Sequence, residues 1–169
     1  LGCSISNKLY GNFGFASTTS SFVGHHFSTI EGGYVFTDDE KLFAMLKVVR
    51  AHGWTRNLSD YEKKLLSCKE EDEFNQPYTF EYCGYNLRPS ELNAYCGLIQ
   101  LNELANFNKI RQERFIYASN RLSEFIYKPN TKNPVFAIPI KTKNISQKKE
   151  VVEKLKSRKI ETRPIISRS

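Results

Sequence analysis

Adjacent imidazoles at His25 and His26 sit in the stretch SSFVGHHFSTIEGG, residues 20–33, between a hydroxyl-rich apolar run and a glycine pair. Imidazole exchanges a proton near neutral pH, which makes a histidine on a turn a natural general base. The chain has 3 histidines in all, so a neighbouring pair asks for a reason. The segment holds no lysine. Ser20 and Ser21 place hydroxyls ahead of the pair, and Gly32 and Gly33 let backbone pass close to a ligand or to another strand. A packed structural role is the commoner use of histidine, and serine and glycine are ordinary turn residues. These groups alone leave catalysis and structure both open.

Two further clusters carry polar chemistry. RAHGWTRNL, residues 50–58, crowds His52, Trp54, Arg56 and Asn57 just past a helix end, where basic groups also complement the helix dipole. GYNLRPSEL, residues 84–92, sets Asn86 and Arg88 just before a helix, where a capped, solvated turn is the plainer reading. Arginine clamps carboxylates and phosphates because its planar fork donates two parallel hydrogen bonds. Two such forks point to an anionic substrate.

The elements that must position these groups follow from pattern. CSISNKLYGNFG alternates around turn formers and predicts a short hairpin. TTSSFVG is β-prone up to Gly24, and GGYVFTDDE reads as a strand entering a helix, with Thr37 and Glu40 at capping-box spacing. Leu42, Met45, Leu46 and Val49 recur at helical spacing, and Gly53 follows as a stop. Residues 55–83 show no sustained period and predict a long excursion. Pro89 suits a first helical turn, with Leu92, Tyr95, Cys96 and Ile99 on one face. A second amphipathic stretch runs from about Leu104 to Ile126, as a continuation of the first or as a separate helix. After the break at KPNTKNP, the pattern predicts a strand (VFAIPIK), a helix from about Ser146 and a strand (IETRPII). The fold class is therefore α/β. Residues 1–126 are expected to belong to one domain and 127–169 to open a second, smaller one.

Composition narrows the partners. At 169 residues, 40% hydrophobic and 13% aromatic, the chain is expected to fold around a core. The net charge of +7 is uneven: residues 1–108 hold 9 Lys+Arg against 13 Asp+Glu, and residues 109–169 hold 16 against 5. Lysines on solvated helix faces account for that basic end, and no nucleic-acid module accompanies it. No apolar run approaches the length of a membrane span, and no signal peptide is evident. Cys3, Cys68, Cys83 and Cys96 are irregularly spaced without a C-x-x-C pair, which suits reduced thiols in the cytoplasm and argues against a metal site. Both ends read as cuts, so a longer protein is expected.

Taken in order, SSFVGHHFSTIEGG, the TDDE helix start, RAHGWTRNL, GYNLRPSELNAYCGLIQL and IETRP resemble the DegT/DnrJ/EryC1/StrS family, the sugar-modifying branch of the pyridoxal 5'-phosphate (PLP) dependent aminotransferases. The resemblance covers nearly the whole chain. It implies part of a fold type I aminotransferase: the C-terminal portion of the large, PLP-binding domain, then the beginning of the small domain. Most members carry a lysine where this chain has His25, and that lysine holds the cofactor as an imine. An imidazole cannot form one. The replacement resembles the 3-dehydratases that make dideoxysugars for surface polysaccharides such as O-antigen. By that resemblance His25 is the catalytic base, PLP and its pyridoxamine 5'-phosphate form are the cofactor, and glutamate is the amino donor. The substrate is a nucleotide-linked 4-keto-6-deoxy sugar, expected to be GDP-linked, which loses its C3 hydroxyl.

The same resemblance assigns the remaining roles. Ser20 contacts the cofactor phosphate, and Asn86 reaches a partner subunit's cofactor phosphate across a homodimer. Arg56, Arg88 and, more weakly, His52 bind glutamate carboxylates or the sugar nucleotide, and His26 is structural or supports the groups that touch the ligand. A glycine-serine phosphate loop and an aspartate facing the pyridine nitrogen are expected upstream of Leu1, so this stretch alone is expected to be inactive. A related dehydrase replaces the lysine by histidine but holds an iron-sulfur cluster on closely spaced cysteines; the long loop here has Cys68 within it and Cys83 only as its last residue, far from close spacing. An ordinary 4-keto-sugar aminotransferase and a non-catalytic basic interaction module are the competing expectations.

Overall fold

Ser6 and Asn7 both take positive φ, 47° and 62°, the geometry that closes a two-residue hairpin in step with strand twist. They join β1 (Ser4–Ile5) to β2 (Lys8–Leu9), which pair antiparallel with Ser4 opposite Leu9. The structure, a computed structural model, describes residues 1–69, 72–126 and 133–164. The chain divides into two compact units, Leu1–Ala105 and Asn106–Ser169.

In the first unit, β3 (Ala16–Ser20) and β4 (Gly33–Thr37), rich in β-branched and aromatic residues, form an antiparallel pair running from Ala16 opposite Thr37 to Ser20 opposite Gly33. Residues 21–32 between them carry both imidazoles. β4 leads into α1 (Glu40–Val49), as the pattern predicts, but the cap is Asp39, two residues later than the expected Thr37. Asp39 accepts the Leu42 N–H at 2.6 Å. The Thr37 hydroxyl instead accepts the Asp39 N–H and donates to Phe15 O, tying the strand end to the helix start.

The buried line of α1 is also narrower than the periodicity suggests. Ala44 and Val48, one helical turn apart, are fully buried with Leu58 and Leu66, while Met45, Cys68 and Tyr82 pack around them. Burying each of the valine and leucine side chains is worth about 1.5–3 kcal/mol. The expected face of Leu42, Met45, Leu46 and Val49 is half-buried.

The described residues of 55–83 hold more regular structure than a featureless excursion. α2 (Asp60–Leu65) opens with a full capping box, in which the Ser59 hydroxyl accepts the Glu62 N–H and the Glu62 carboxylate accepts the Ser59 N–H. Lys47 of α1 meets Glu62 at 2.7 Å. A single 3-10 turn follows at Gln76–Tyr78. Six residues are too few for a periodic signal, so cap and ion pair define this helix.

α3 (Glu91–Arg121) is one helix, so the two amphipathic stretches are continuous as far as Arg121. Its start is set by Ser90, whose hydroxyl accepts the Asn93 N–H at 3.2 Å, with Pro89 outside the helix. Leu92, Tyr95 and Ile99 are exposed, contrary to the expected apolar face. The inward face is Asn93, Gly97 and Gln100, because these make the contacts described below.

The second unit, taken by itself, buries Phe115 and Ile126. Its α4 (Ile145–Ser157) is capped by Asn144, which accepts the Gln147 N–H at 2.9 Å. The expected strand in VFAIPIK reduces to one bridge between Ile140 and Ile126, and residues 160–164 form no strand. A strand exists only where its backbone groups find a ladder of partners, and a single bridge supplies one rung. Ile165 and Ile166 of IETRPII, and most of KPNTKNP, lie outside the described residues.

Candidate active site

The loop of residues 21–32 is fixed from both sides. Ser21 is fully buried; its N–H donates to Gly32 O at 3.0 Å, and its hydroxyl lies 2.6 Å from that of Thr29. Gly32, at φ 154°, has no room for a side chain: a methyl there would come within 2.6 Å of Thr29 Oγ1 and 2.8 Å of Ser21 Oγ. The glycine is required by the approach of the loop to itself. From α3, the Gln100 side-chain oxygen accepts the Ser28 N–H at 2.7 Å, and the Asn93 amide donates to Thr29 O at 2.6 Å. Between these two, Gly97 admits the Thr29 methyl so closely that a Cβ would sit 2.8 Å from it. Asn93, Gly97 and Gln100 share one helix face at i, i+4 and i+7.

On this frame the two histidines diverge. His26 is 8% exposed, with Nδ1 3.2 Å from Leu1 O, which is a structural placement. His25 is exposed, and its N–H closes a turn onto Phe22 O at 2.9 Å. Ser20, at the end of β3, is half-buried; its hydroxyl accepts the Phe22 N–H at 3.2 Å, which leaves its own proton available to an anion.

The second group comes from the two clusters that sequence reading treats separately. The structure pairs their backbones. Tyr85 N–H donates to Val49 O at 2.7 Å, His52 N–H to Tyr85 O at 2.9 Å and Leu87 N–H to Arg50 O at 2.9 Å, bridging Ala51 to Asn86. The pairing is close because both segments present glycine where they touch. A methyl on Gly53, at φ 87°, would lie 1.7 Å from Tyr82 O, and one on Gly84 would lie 2.2 Å from Gly53 N.

Trp54 is the centre of this group. Its ring packs on Phe80 at 5.1 Å between centroids, and the His52 ring meets it edge-on at 5.7 Å. The Arg56 guanidinium lies 3.9 Å above the ring, and that of Arg88 lies 5.9 Å from the same centroid. Among the described residues neither arginine is ion-paired. The predicted His52, Arg56 and Arg88 are thus brought together, with Asn86 exposed beside them on the shared ladder. Ser20 and His25 form the other group, positioned by the loop and α3.

Sequence reading missed Asn93 and Gln100, which hold the histidine loop, and left Trp54 without a role. The seven-residue spacing of two amides on a helix was their visible signal. Cys68, the one cysteine of residues 55–82, has its thiol pushed up by burial and then by Glu81, the opposite of what a thiolate ligand needs. Among the described residues no three His, Cys, Asp or Glu side chains gather as metal ligands, and no helix is long and apolar enough to cross a membrane.

Comparison with known proteins bears on what this arrangement does. Residues 1–168 match the family described as the DegT/DnrJ/EryC1/StrS aminotransferase family. The GDP-4-keto-6-deoxy-D-mannose 3-dehydratase of Escherichia coli is 36% identical over 99% of this chain and 44% of its own length. A solved structure of E. coli GDP-4-keto-6-deoxy-D-mannose-3-dehydratase with bound hydrated PLP superposes with a TM-score of 0.86 at 35% identity, over 99% of this chain and 44% of that one. Another, of GDP-4-keto-6-deoxymannose-3-dehydratase with a trapped PLP-glutamate geminal diamine, gives 0.84 at 34% identity, over 98% and 44%. The chain therefore spans less than half the length of these relatives. Its α/β architecture is part of the aminotransferase fold, and the chain belongs to the DegT/DnrJ/EryC1/StrS aminotransferase family.

Proposed function

We propose that this chain is part of a PLP-dependent nucleotide-sugar 3-dehydratase that removes the C3 hydroxyl of a GDP-linked 4-keto-6-deoxyhexose. In this reading glutamate is the amino donor, and the product feeds dideoxysugar and surface-polysaccharide synthesis. The observation that carries it is His25: an exposed imidazole on a loop locked by α3, in a stretch with no lysine between Lys8 and Lys41. The likeness to two dehydratase structures, one holding hydrated PLP and one a PLP-glutamate adduct, supports it.

The donor set fits a cofactor held without a covalent bond. Ser20 has a hydroxyl proton to give a phosphate oxygen. Asn86 is exposed and would serve a partner subunit's cofactor phosphate in a cytoplasmic homodimer. When bound, the cofactor would supply the electron sink for the elimination. His25, whose imidazole cannot form an imine, would hold and move the proton transferred in the reaction and would assist departure of the C3 hydroxyl. Arg56 and Arg88, with His52 beside them, clamp anionic oxygens of glutamate or the sugar nucleotide and so orient what His25 acts on. Residues 1–126 would be the end of the large domain and 127–169 the start of the small one.

The test is product analysis with the full-length protein, PLP, glutamate and the GDP-linked 4-keto-6-deoxy sugar. The reading requires ammonia release and a sugar deoxygenated at C3. A stable amino sugar would establish transamination instead.

A further inference from the structure

We propose that Trp54 is a positioning residue: its indole face holds the Arg56 and Arg88 guanidinium groups so that both forks meet one anionic group, a phosphate or carboxylate. The inference rests on the reading of those arginines as substrate-binding residues. It extends that reading to a residue that touches the ligand only through them.

Three observations carry it. Both guanidinium carbons sit over the same ring, at 3.9 Å and 5.9 Å from its centroid. Stacking on a ring face leaves the in-plane N–H edge of a guanidinium unspent, so its fork stays available. Neither cation is ion-paired among the described residues, and like charges gathered on one ring repel until an anion arrives between them. The chain carrying the platform is fixed before any ligand binds. The Trp54 backbone N–H donates to Ala51 O at 3.1 Å, Trp54 bridges Phe80, and the bridge from Ala51 to Asn86 fixes the chain two residues ahead of Arg88. Arginine is a long, mobile side chain, so a ring that restrains two of them lowers the ordering cost of binding.

The experiment uses the full-length protein and two probes, GDP and L-glutamate, titrated separately by calorimetry. Trp54→Leu is expected to weaken binding of at least one probe by about tenfold, and Trp54→Phe, which keeps a π face, by less than about threefold. The probe affected tells phosphate from carboxylate as the ligand group. In steady state, KM for that substrate should rise more than kcat falls. In the Arg56→Ala/Arg88→Ala background, Trp54→Leu should add no further loss, because its effect runs through the two arginines. Where Trp54→Leu does not fold, Trp54→Met replaces it in the same cycle.

Unchanged affinity for both probes in Trp54→Leu would overturn the proposal, as would a loss that persists in full in the arginine-free background. If Arg56→Ala and Arg88→Ala themselves leave both probes unmoved, the failure lies in the substrate-binding reading of the arginines, and the platform falls with it.

Discussion

Gly84 lies so close to Gly53 that a methyl group on it would stand 2.2 Å from the Gly53 nitrogen and 2.9 Å from Val49 O. This contact seals the ladder that brings the His52–Arg56 turn against the segment bearing Asn86 and Arg88. All the clashing atoms are backbone, so no side chain can move aside. Gly84→Ala should cost about 3 kcal/mol and lower the thermal midpoint by several degrees. Calorimetric melting of the variant against the parent checks this; a loss within about 0.5 kcal/mol would mean the ladder is looser than described.

The Glu62 carboxyl is held below the usual carboxylate range, first by its hydrogen bond from Lys47 and then by the Ser59 N–H. Lowered in the folded state, it binds its proton more readily in the unfolded chain, so it contributes stability above its ordinary value near 4.5. That contribution disappears as pH falls through the folded-state value. Melting temperatures measured from pH 6 to pH 3 should therefore fall less steeply in Glu62→Gln than in the parent, and at neutral pH the variant should lose about 1 kcal/mol of capping energy. Parallel curves would show that the Lys47–Glu62 pair is not what the acid limb reports.

Gln100 accepts the N–H of Ser28, in the loop that holds His25. Gln100→Leu strands that donor in a buried place, at a cost of about 1–3 kcal/mol. Turnover of the full-length protein should drop while KM changes little, and Gln100→Glu, which keeps an acceptor at the same reach, should restore most of it. Equal losses in the leucine and glutamate variants would assign Gln100 to general stability alone.

Ser20→Ala removes a hydroxyl whose proton is free because its oxygen already serves the Phe22 N–H. Cofactor retention, followed by absorbance through dialysis, should weaken by about tenfold, the worth of one hydrogen bond to a charged oxygen. Retention equal to the parent would remove Ser20 from the phosphate site.

How much of this was legible in the sequence depended on how far each feature reaches along the chain. The Ser6–Asn7 hairpin, the β4-to-α1 passage and the helix at 145–157 are local, and residue type alone announces them. Capping boxes are local too, yet the spacing misled at one place and was overlooked at another. Thr37 and Glu40 have the spacing but Asp39 takes the cap, whereas Ser59 and Glu62 form the box in full. The deciding factor was tertiary: the Thr37 hydroxyl donates to Phe15 O, and Lys47 draws Glu62 in. The apolar face read along Leu92, Tyr95 and Ile99 is exposed because Asn93 and Gln100 bind a loop more than sixty residues earlier, which no window on the helix contains. The polar clusters at 50–58 and 84–92 were each visible as chemistry. That they are one group around Trp54 required their backbones to pair.

In the proposed function, position 25 presents a proton acceptor that never bonds to the cofactor. It is tested most directly by His25→Lys in the full-length protein, with borohydride reduction to fix any imine and ammonia release to follow dehydration. Cofactor is expected to be covalently trapped on the variant but not on the parent, with dehydration abolished. Dehydration continuing at the parental rate, or cofactor trapped on the parent itself, would contradict it.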